Sequence, residues 1–378
     1  MKRLVNLFFL LLLPLSFLFA QEADTVLTDT TGYEPKSTFF PYASYTPETS
    51  VEFGALFLRQ FKFANAGEET RPSFYRAWGN YTLNNQMNIG AENNFILPGE
   101  EWMFNGFISY KDFPEKFYGF GESQLDSAAL MEWKMFYVEQ AFMRGLGNGL
   151  FVGAQARYFN MWDVGFDDPE VWSEIKALED YDRILGMGDE NTSGKNASLG
   201  LGLVMVWDTR NSVLAPSKGF YLELSSYWHS ENFGSTQTYG QYKIDGRKYF
   251  SFFNGESVLG LHTLMQFTTG DAPFREVGMM GGKLMMRGTY YGQFRDNHMI
   301  AFQTEWRQHI YGRWGAVAFA GVGQVAETLG DISASRFETS FGVGLRFNIN
   351  KKDPANIRVD YGFGPNGGNL YADFGEVF

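Results

Sequence analysis

The sequence contains no cysteine among its 378 residues, and that absence removes several classes at once. No disulfide framework, thiolate metal site or cysteine nucleophile is available, and no acylated cysteine can anchor the chain as a lipoprotein. Positive charge is also scarce: 31 Lys and Arg stand against 43 Asp and Glu, a formal net charge of −12. No Lys/Arg cluster occurs beyond the first three residues, so nucleic acid is not an expected partner. Long apolar runs are missing too, apart from the one between Leu4 and Phe19. What is abundant is aromatic and glycine: 38 Phe, 20 Tyr and 43 Gly, with charged residues at only 20%, a composition that excludes disorder.

The single apolar run follows Met1-Lys2-Arg3 and ends at Ala20 before Gln21-Glu22. It is shorter than the ~20 residues a spanning helix needs, so residues 1–20 are expected to be a secretory signal peptide cut after Ala20. Residues 21–36 are polar and are expected to form a short periplasmic N-terminal segment. An exported chain without a membrane helix enters a bilayer only as a closed barrel. A secreted sandwich or an outer-membrane barrel therefore remains.

Periodicity separates the two. From Arg336 onward, Phe337, Thr339, Phe341, Val343, Leu345, Phe347 and Ile349 alternate with Glu338, Ser340, Gly342, Gly344, Arg346, Asn348 and Asn350. Ile300, Phe302, Thr304 and Trp306 alternate in the same way with Ala301, Gln303, Glu305, Arg307 and His309. Soluble strands usually run ~5–6 residues, whereas tilted membrane strands need ~9–11 with one apolar and one polar or glycine-rich face. These runs fit the longer kind. Sixteen such segments are expected, over 37–46, 51–63, 72–84, 87–97, 102–111, 131–145, 149–162, 196–208, 218–230, 236–252, 255–268, 297–311, 313–325, 336–350, 356–363 and 369–378. The expected fold class is all-β, a 16-stranded antiparallel transmembrane barrel over 37–378, in contact with outer-membrane lipids. The connections Pro47-Glu48-Thr49-Ser50 and Asn211 to Lys218 read as periplasmic turns, and 163–195 and 269–296 as long extracellular connections.

Enzymatic and cofactor chemistry find little support. The four histidines, His229, His262, His298 and His309, lack metal-ligand spacing. His229 and Ser230 are adjacent, which in a strand sends them to opposite faces, and His309 has no nucleophile in view. Met279, Met280, Met285 and Met286 read as gap-filling side chains in a packed loop. No catalytic residue, metal site or cofactor is expected. Asp208 and Arg210 share one strand face and read as a structural charge pair at a rim, with Pro216 and Gly219 shaping the turn that follows.

Four stretches together resemble a known family: Phe117-Tyr118-Gly119-Phe120-Gly121-Glu122; Trp207-Asp208-Thr209-Arg210-Asn211 with Ala215-Pro216-Ser217-Lys218-Gly219; Met286-Arg287-Gly288 with Gly292 and Arg295-Asp296-Asn297; and Phe374-Gly375-Glu376-Val377-Phe378. Their order and spacing are similar to the barrel of the BamA/TamA superfamily, the bacterial surface antigen family. The strand count, made independently, puts the Arg-Gly stretch between the eleventh and twelfth strands, where that family carries an inward-folded loop. The resemblance implies a barrel-only member, without the periplasmic polypeptide-transport-associated modules of its relatives. It also implies that Arg287, with Gly288, sits in the lumen against wall carboxylates, Glu305 being one because it has lumen parity. The family's second partner, an aspartate in a Phe-x-Asp-x-Gly stretch, is replaced, since that run reads Phe319-Ala320-Gly321-Val322-Gly323. The usual aromatic of the loop is Thr289, followed by Tyr290 and Tyr291. The alternative is an arginine on a solvated loop. Phe374, Gly375 and Phe378 resemble the terminal assembly signal, with both phenylalanines on one parity.

Two functions follow as expectations. One is outer-membrane protein assembly or translocation, through a barrel whose first and last strands pair weakly, with periplasmic or lipoprotein partners supplied in trans. The other is a passive pore or structural barrel. A short seam between first and last strands favours the former, and a long one the latter.

Overall fold

The computed structural model describes residues 33–121, 123–166, 168, 194–350 and 355–378. The expected signal peptide, residues 21–32 of the segment behind it and residues 169–193 lie outside the described residues. Sixteen antiparallel strands form the wall: β1 (Lys36–Thr46), β2 (Ser50–Phe61), β3 (Ser73–Thr82), β4 (Met87–Ile96), β5 (Trp102–Asp112), β6 (Ser123–Gly147), β7 (Leu150–Phe166), β8 (Gly194–Asp208), β9 (Gly219–His229), β10 (Tyr239–Phe252), β11 (Ser257–Gly270), β12 (His298–Tyr311), β13 (Trp314–Ala326), β14 (Glu338–Asn350), β15 (Ala355–Gly364) and β16 (Gly367–Phe374). Each pairs with its sequence neighbour, and β1 meets β16 to close the sheet.

Alternation decides which face is which. In β14, Phe341, Val343 and Leu345 are 58%, 60% and 56% exposed, while Gly342 and Gly344 between them and Ser340 and Arg346 on either side are buried. Ile357, Val359, Tyr361 and Phe363 continue the apolar belt on β15. A soluble sandwich would bury this parity against a second sheet; here it points outward, and only hydrocarbon can cover it without cost. Aromatic pairs gather where strands meet their short turns: Trp207 with Phe220, ring centroids 4.8 Å apart, Phe252 with Trp306 at 5.6 Å, and Trp314 with Phe347 at 4.9 Å. This is the girdle position of a membrane barrel.

Antiparallel order sends successive connections to opposite ends, which corrects one expectation. The 209–218 turn lies at the short-turn end, but Pro47-Glu48-Thr49 lies at the other, the long-loop end. There the Tyr291 N–H, from the connection between β11 and β12, donates to Glu48 at 2.8 Å. The two turns cannot share a compartment, because one strand interval of odd number separates them.

Two strands also depart from their expected lengths. β6 begins at Ser123 rather than 131 because it extends beyond the wall, pairing with a short strand, Glu115–Phe120, that folds back on it. β16 ends at Phe374 rather than 378, because Gly375 adopts φ +82 and turns the chain inward. The β6 extension is held by apolar packing at the long-loop end: Phe117, Phe120, Met131 and Trp133 bury against Phe159 and Met161 of β7 and against Phe274 and Val277 of the β11–β12 connection. Phe117→Ala should therefore lower stability by about 3–5 kcal/mol, read from denaturant unfolding in detergent micelles. The outward Phe341→Ala should cost far less.

Candidate functional site

The β11–β12 connection, residues 271–297, does not lie over the barrel but inside it. Ala272, Phe274, Val277, Met280, Met285, Met286, Arg287 and Thr289 are all buried. A two-stranded ribbon, Gly278–Met280 with Phe294–Asp296, stiffens its stem. The methionines Met280, Met285 and Met286 pack with Met299 and Ala301 of β12, filling the space between loop and wall. At the stem, the Gly121 N–H donates to the Arg295 carbonyl at 2.9 Å and the Arg295 guanidinium lies 4.9 Å from the Phe117 ring.

Arg287 sits at the tip, with 0% of its side chain exposed. Its Nη2 donates to Glu305 Oε2 at 2.5 Å and its Nη1 to Asp360 Oδ2 at 2.6 Å. The Phe319 ring covers its flat face at 3.6 Å. A solvated loop arginine is thus not what the chain builds. Glu305 also accepts from Arg307 at 2.8 Å, and Asp360 from Arg346 at 2.5 Å. Arg346 continues to Glu376 at 2.8 Å, and Arg358 to Asp373 at 3.1 Å. Four guanidiniums and four carboxylates interlock across β12, β14, β15, β16 and the terminal tail. Burying one guanidinium alone would cost several kcal/mol; a mutually neutral, hydrogen-bonded set offsets that cost.

Gly288 makes the approach possible. Its φ is +110, and a Cβ there would lie 2.4 Å from the Phe363 carbonyl carbon. Its N–H donates to Tyr371 Oη at 3.0 Å and its carbonyl accepts from Asn369 at 2.7 Å. Beyond it, the loop reaches the far side of the lumen: the Tyr290 hydroxyl accepts from the Lys116 N–H at 3.3 Å, and Tyr291 binds Glu48 as described. Burial pushes the Glu48 carboxyl up from its ordinary range, opposed by the Tyr291 N–H. Lys283, on the same loop, pairs with Asp373 of β16 at 2.7 Å.

Sequence reasoning placed Arg287, Gly288 and Glu305 in one site, and the structure brings them together. It missed Asp360. The replaced aspartate position in 319–323 left the lock either looser or differently built, and it is differently built: the second carboxylate is supplied from β15 and Phe319 contributes its ring. A signal was available: Asp360 has the same parity as Arg358 inside an otherwise apolar alternation, Val359-Asp360-Tyr361.

The rim residues are also joined to this network. Arg210 grips Asp208 with two hydrogen bonds of 2.9 Å and lies 4.6 Å from the Tyr221 ring. Gly219, at φ +90, lets the turn close, since a Cβ would lie 2.2 Å from the Thr209 carbonyl. The Pro216 carbonyl accepts from Arg307 at 3.1 Å, so the turn touches the same arginine that holds Glu305. Between them is a cavity of about 490 Å³, bordered by Pro216, Glu256, Arg307, His309, Arg346 and Glu376.

The terminal residues require a correction. Phe374 and Phe378 do not share a face: Phe374 is part-exposed beside the seam, 5.3 Å from the Phe40 ring, whereas Phe378 is buried in the lumen. After Gly375 the tail is drawn inward by Glu376, and the Phe378 main-chain oxygen accepts from Arg307 at 2.6 Å. Its ring lies 5.0 Å from the His262 ring, in space that Gly260 leaves open.

The seam is correspondingly short. Among the described residues Tyr45↔Ala372 is the one registered pair between β1 and β16, whereas β1 and β2 pair along all eleven residues of β1.

The histidines serve packing and hydrogen bonding. His229 stacks on Tyr239 at 4.1 Å, and its Nδ1 lies 2.7 Å from Ser198 Oγ on the neighbouring strand, not near Ser230. That Ser–His contact is buried in the lumen, and the third group on Ser198 is the Tyr239 hydroxyl rather than a carboxylate. His262 bonds Asp245 at 3.1 Å and Gln303 at 3.0 Å. Among the described residues no group of three or more His, Asp or Glu could hold a metal.

With this geometry in view, one family model matches the chain and several solved structures share its fold. The Omp85 superfamily domain matches residues 143–375. Among solved structures, BamA from Haemophilus ducreyi lacking POTRA domains 1-3 is similar at 13% identity and a TM-score of 0.61, over 90% of this chain and 70% of that one. CdiB from Acinetobacter baumannii is similar at 10% identity and a TM-score of 0.56, over 90% and 65%, and CdiB from Escherichia coli at 10% and 0.57, over 91% and 67%. At these identities the likeness is one of fold. No curated protein matches the chain.

Asp360→Ala should destabilise the barrel by about 3–5 kcal/mol, because it strands part of a buried guanidinium set. In a double-mutant cycle with Arg287→Ala the losses should be non-additive by about 1–3 kcal/mol, measured by denaturant unfolding. Purely additive losses would contradict the pair.

Proposed function

The chain belongs to the Omp85 superfamily, and from that membership we propose that this outer-membrane barrel works in, or as an accessory to, the assembly or translocation of other polypeptides, through its lateral seam. The observation that carries the reading is the single registered pair between β1 and β16. Every other wall junction is a long antiparallel ladder, so this one opens at the least cost in hydrogen bonds. An incoming extended segment could pair with the edge of β1 by strand addition. Partners supplied in trans, periplasmic modules or lipoproteins, would bring such segments to the short-turn end.

The competing reading is a passive pore or structural barrel. The inward loop and the arginine–carboxylate network occupy the lumen that a pore would keep clear, which weighs toward the seam. No enzymatic step belongs to the proposal. The test is reconstitution into phospholipid vesicles with an unfolded outer-membrane barrel as client. Faster client folding than in empty vesicles is expected. An unchanged folding rate together with steady ionic conductance would instead support the passive barrel.

A further inference from the structure

The shortness of the seam is built, residue by residue, into both strands. The Leu83 N–H donates to the Val51 carbonyl, so the odd residues of β2 hydrogen-bond toward β3 and the even ones toward β1. Since Gly54 pairs with Tyr42 and Leu56 with Phe40, the even residues of β1 bond to β2. The odd residues, Ser37, Phe39, Pro41 and Ala43, therefore turn their backbone groups to the seam. Extending the register Tyr45↔Ala372 by antiparallel steps would set 43 against 374 and 41 against 376. Position 41 is proline and has no N–H to give.

The opposite strand is disabled at the same steps. The Phe374 N–H, which should face β1, is taken by Asp373 Oδ1 at 2.8 Å. Gly375 keeps its N–H on the Asn356 carbonyl of β15 at 2.8 Å, while the Glu376 N–H, the next that should face β1, goes to the Leu214 carbonyl at 3.4 Å. Arg346 and Asn356 then hold the Glu376 carboxylate inside.

We propose that Pro41 and the Glu376 anchor form a stop that keeps β1 and β16 from zipping together toward the short-turn end, and so reserves the lower edge of β1 for an extended segment of another polypeptide. Both are positioning residues. The proposal rests on the assembly reading above. The occupant is a strand with an apolar outward parity, because Phe39, 69% exposed, and Ala43 lie on that face of β1. Among the described residues no strand covers the edge below Ala43.

The test compares the wild-type chain with a double variant, Pro41→Val with Glu376→Ala, in vesicles. If the stop is real, the variant zips: amide exchange at Ala43, which faces Phe374 in the extended register, slows by about tenfold, as expected when a backbone hydrogen bond forms, and client folding slows. Unchanged exchange at Ala43 in a barrel that keeps its heat-resistant mobility on a gel overturns the proposal. Slowed exchange with client folding untouched leaves the stop standing and counts against the assembly reading. Should the double variant fail to fold, Pro41→Val alone supplies the test. It restores one donor with the tail still anchored, and is expected to bind a peptide of sequence Gly367–Phe378, which carries the residue that faces position 41, about fivefold more tightly. Equal affinity would count against the stop.

Discussion

In a bilayer, every backbone N–H and C=O must find its partner within the protein, since hydrocarbon offers none. Closure of the sheet meets that demand at fifteen of the sixteen wall junctions with long ladders, and fails to do so at one. That exception organises the rest. Without it, the chain would be a sealed cylinder; with it, the barrel carries a line along which it can be parted.

The lumen network is what makes such a line tolerable. Arg287 links the loop to β12 and β15, Lys283 links it to β16, and Tyr291 links it to the turn joining β1 to β2. The loop thus touches both sides of the seam from within. Glu376, tied into the same network, removes the last residues from the wall. Holding the barrel together and keeping the seam short are consequently functions of one set of ion pairs. Because the set is mutually neutral and excluded from water, loss of one member is felt by all of it.

Much of this was legible in the sequence, and for physical reasons. Period-two alternation over ten or more residues is a strong signal, and it located strands such as 336–350 to within two residues. Arg287 and Glu305 were found from family likeness and parity together. Asp360 was missed because partners in a barrel are distant in sequence, 73 residues apart here, and parity alone does not say which strand faces the loop. The fate of 375–378 was missed because alternation continues through Phe374 and Phe378 while Gly375 breaks it in space. The stop at Pro41 needs the hydrogen-bonding phase of β1, which no side-chain pattern carries.

The central claim, that the seam must part for the protein to work, is open to one direct measurement. Tyr45 and Ala372 are a facing pair, at a separation a disulfide can bridge in an antiparallel ladder. The chain has no cysteine of its own, so Tyr45→Cys with Ala372→Cys would form the sole crosslink. Client folding in vesicles should be lost on oxidation and recovered on reduction. Full activity with the crosslink formed would contradict the account.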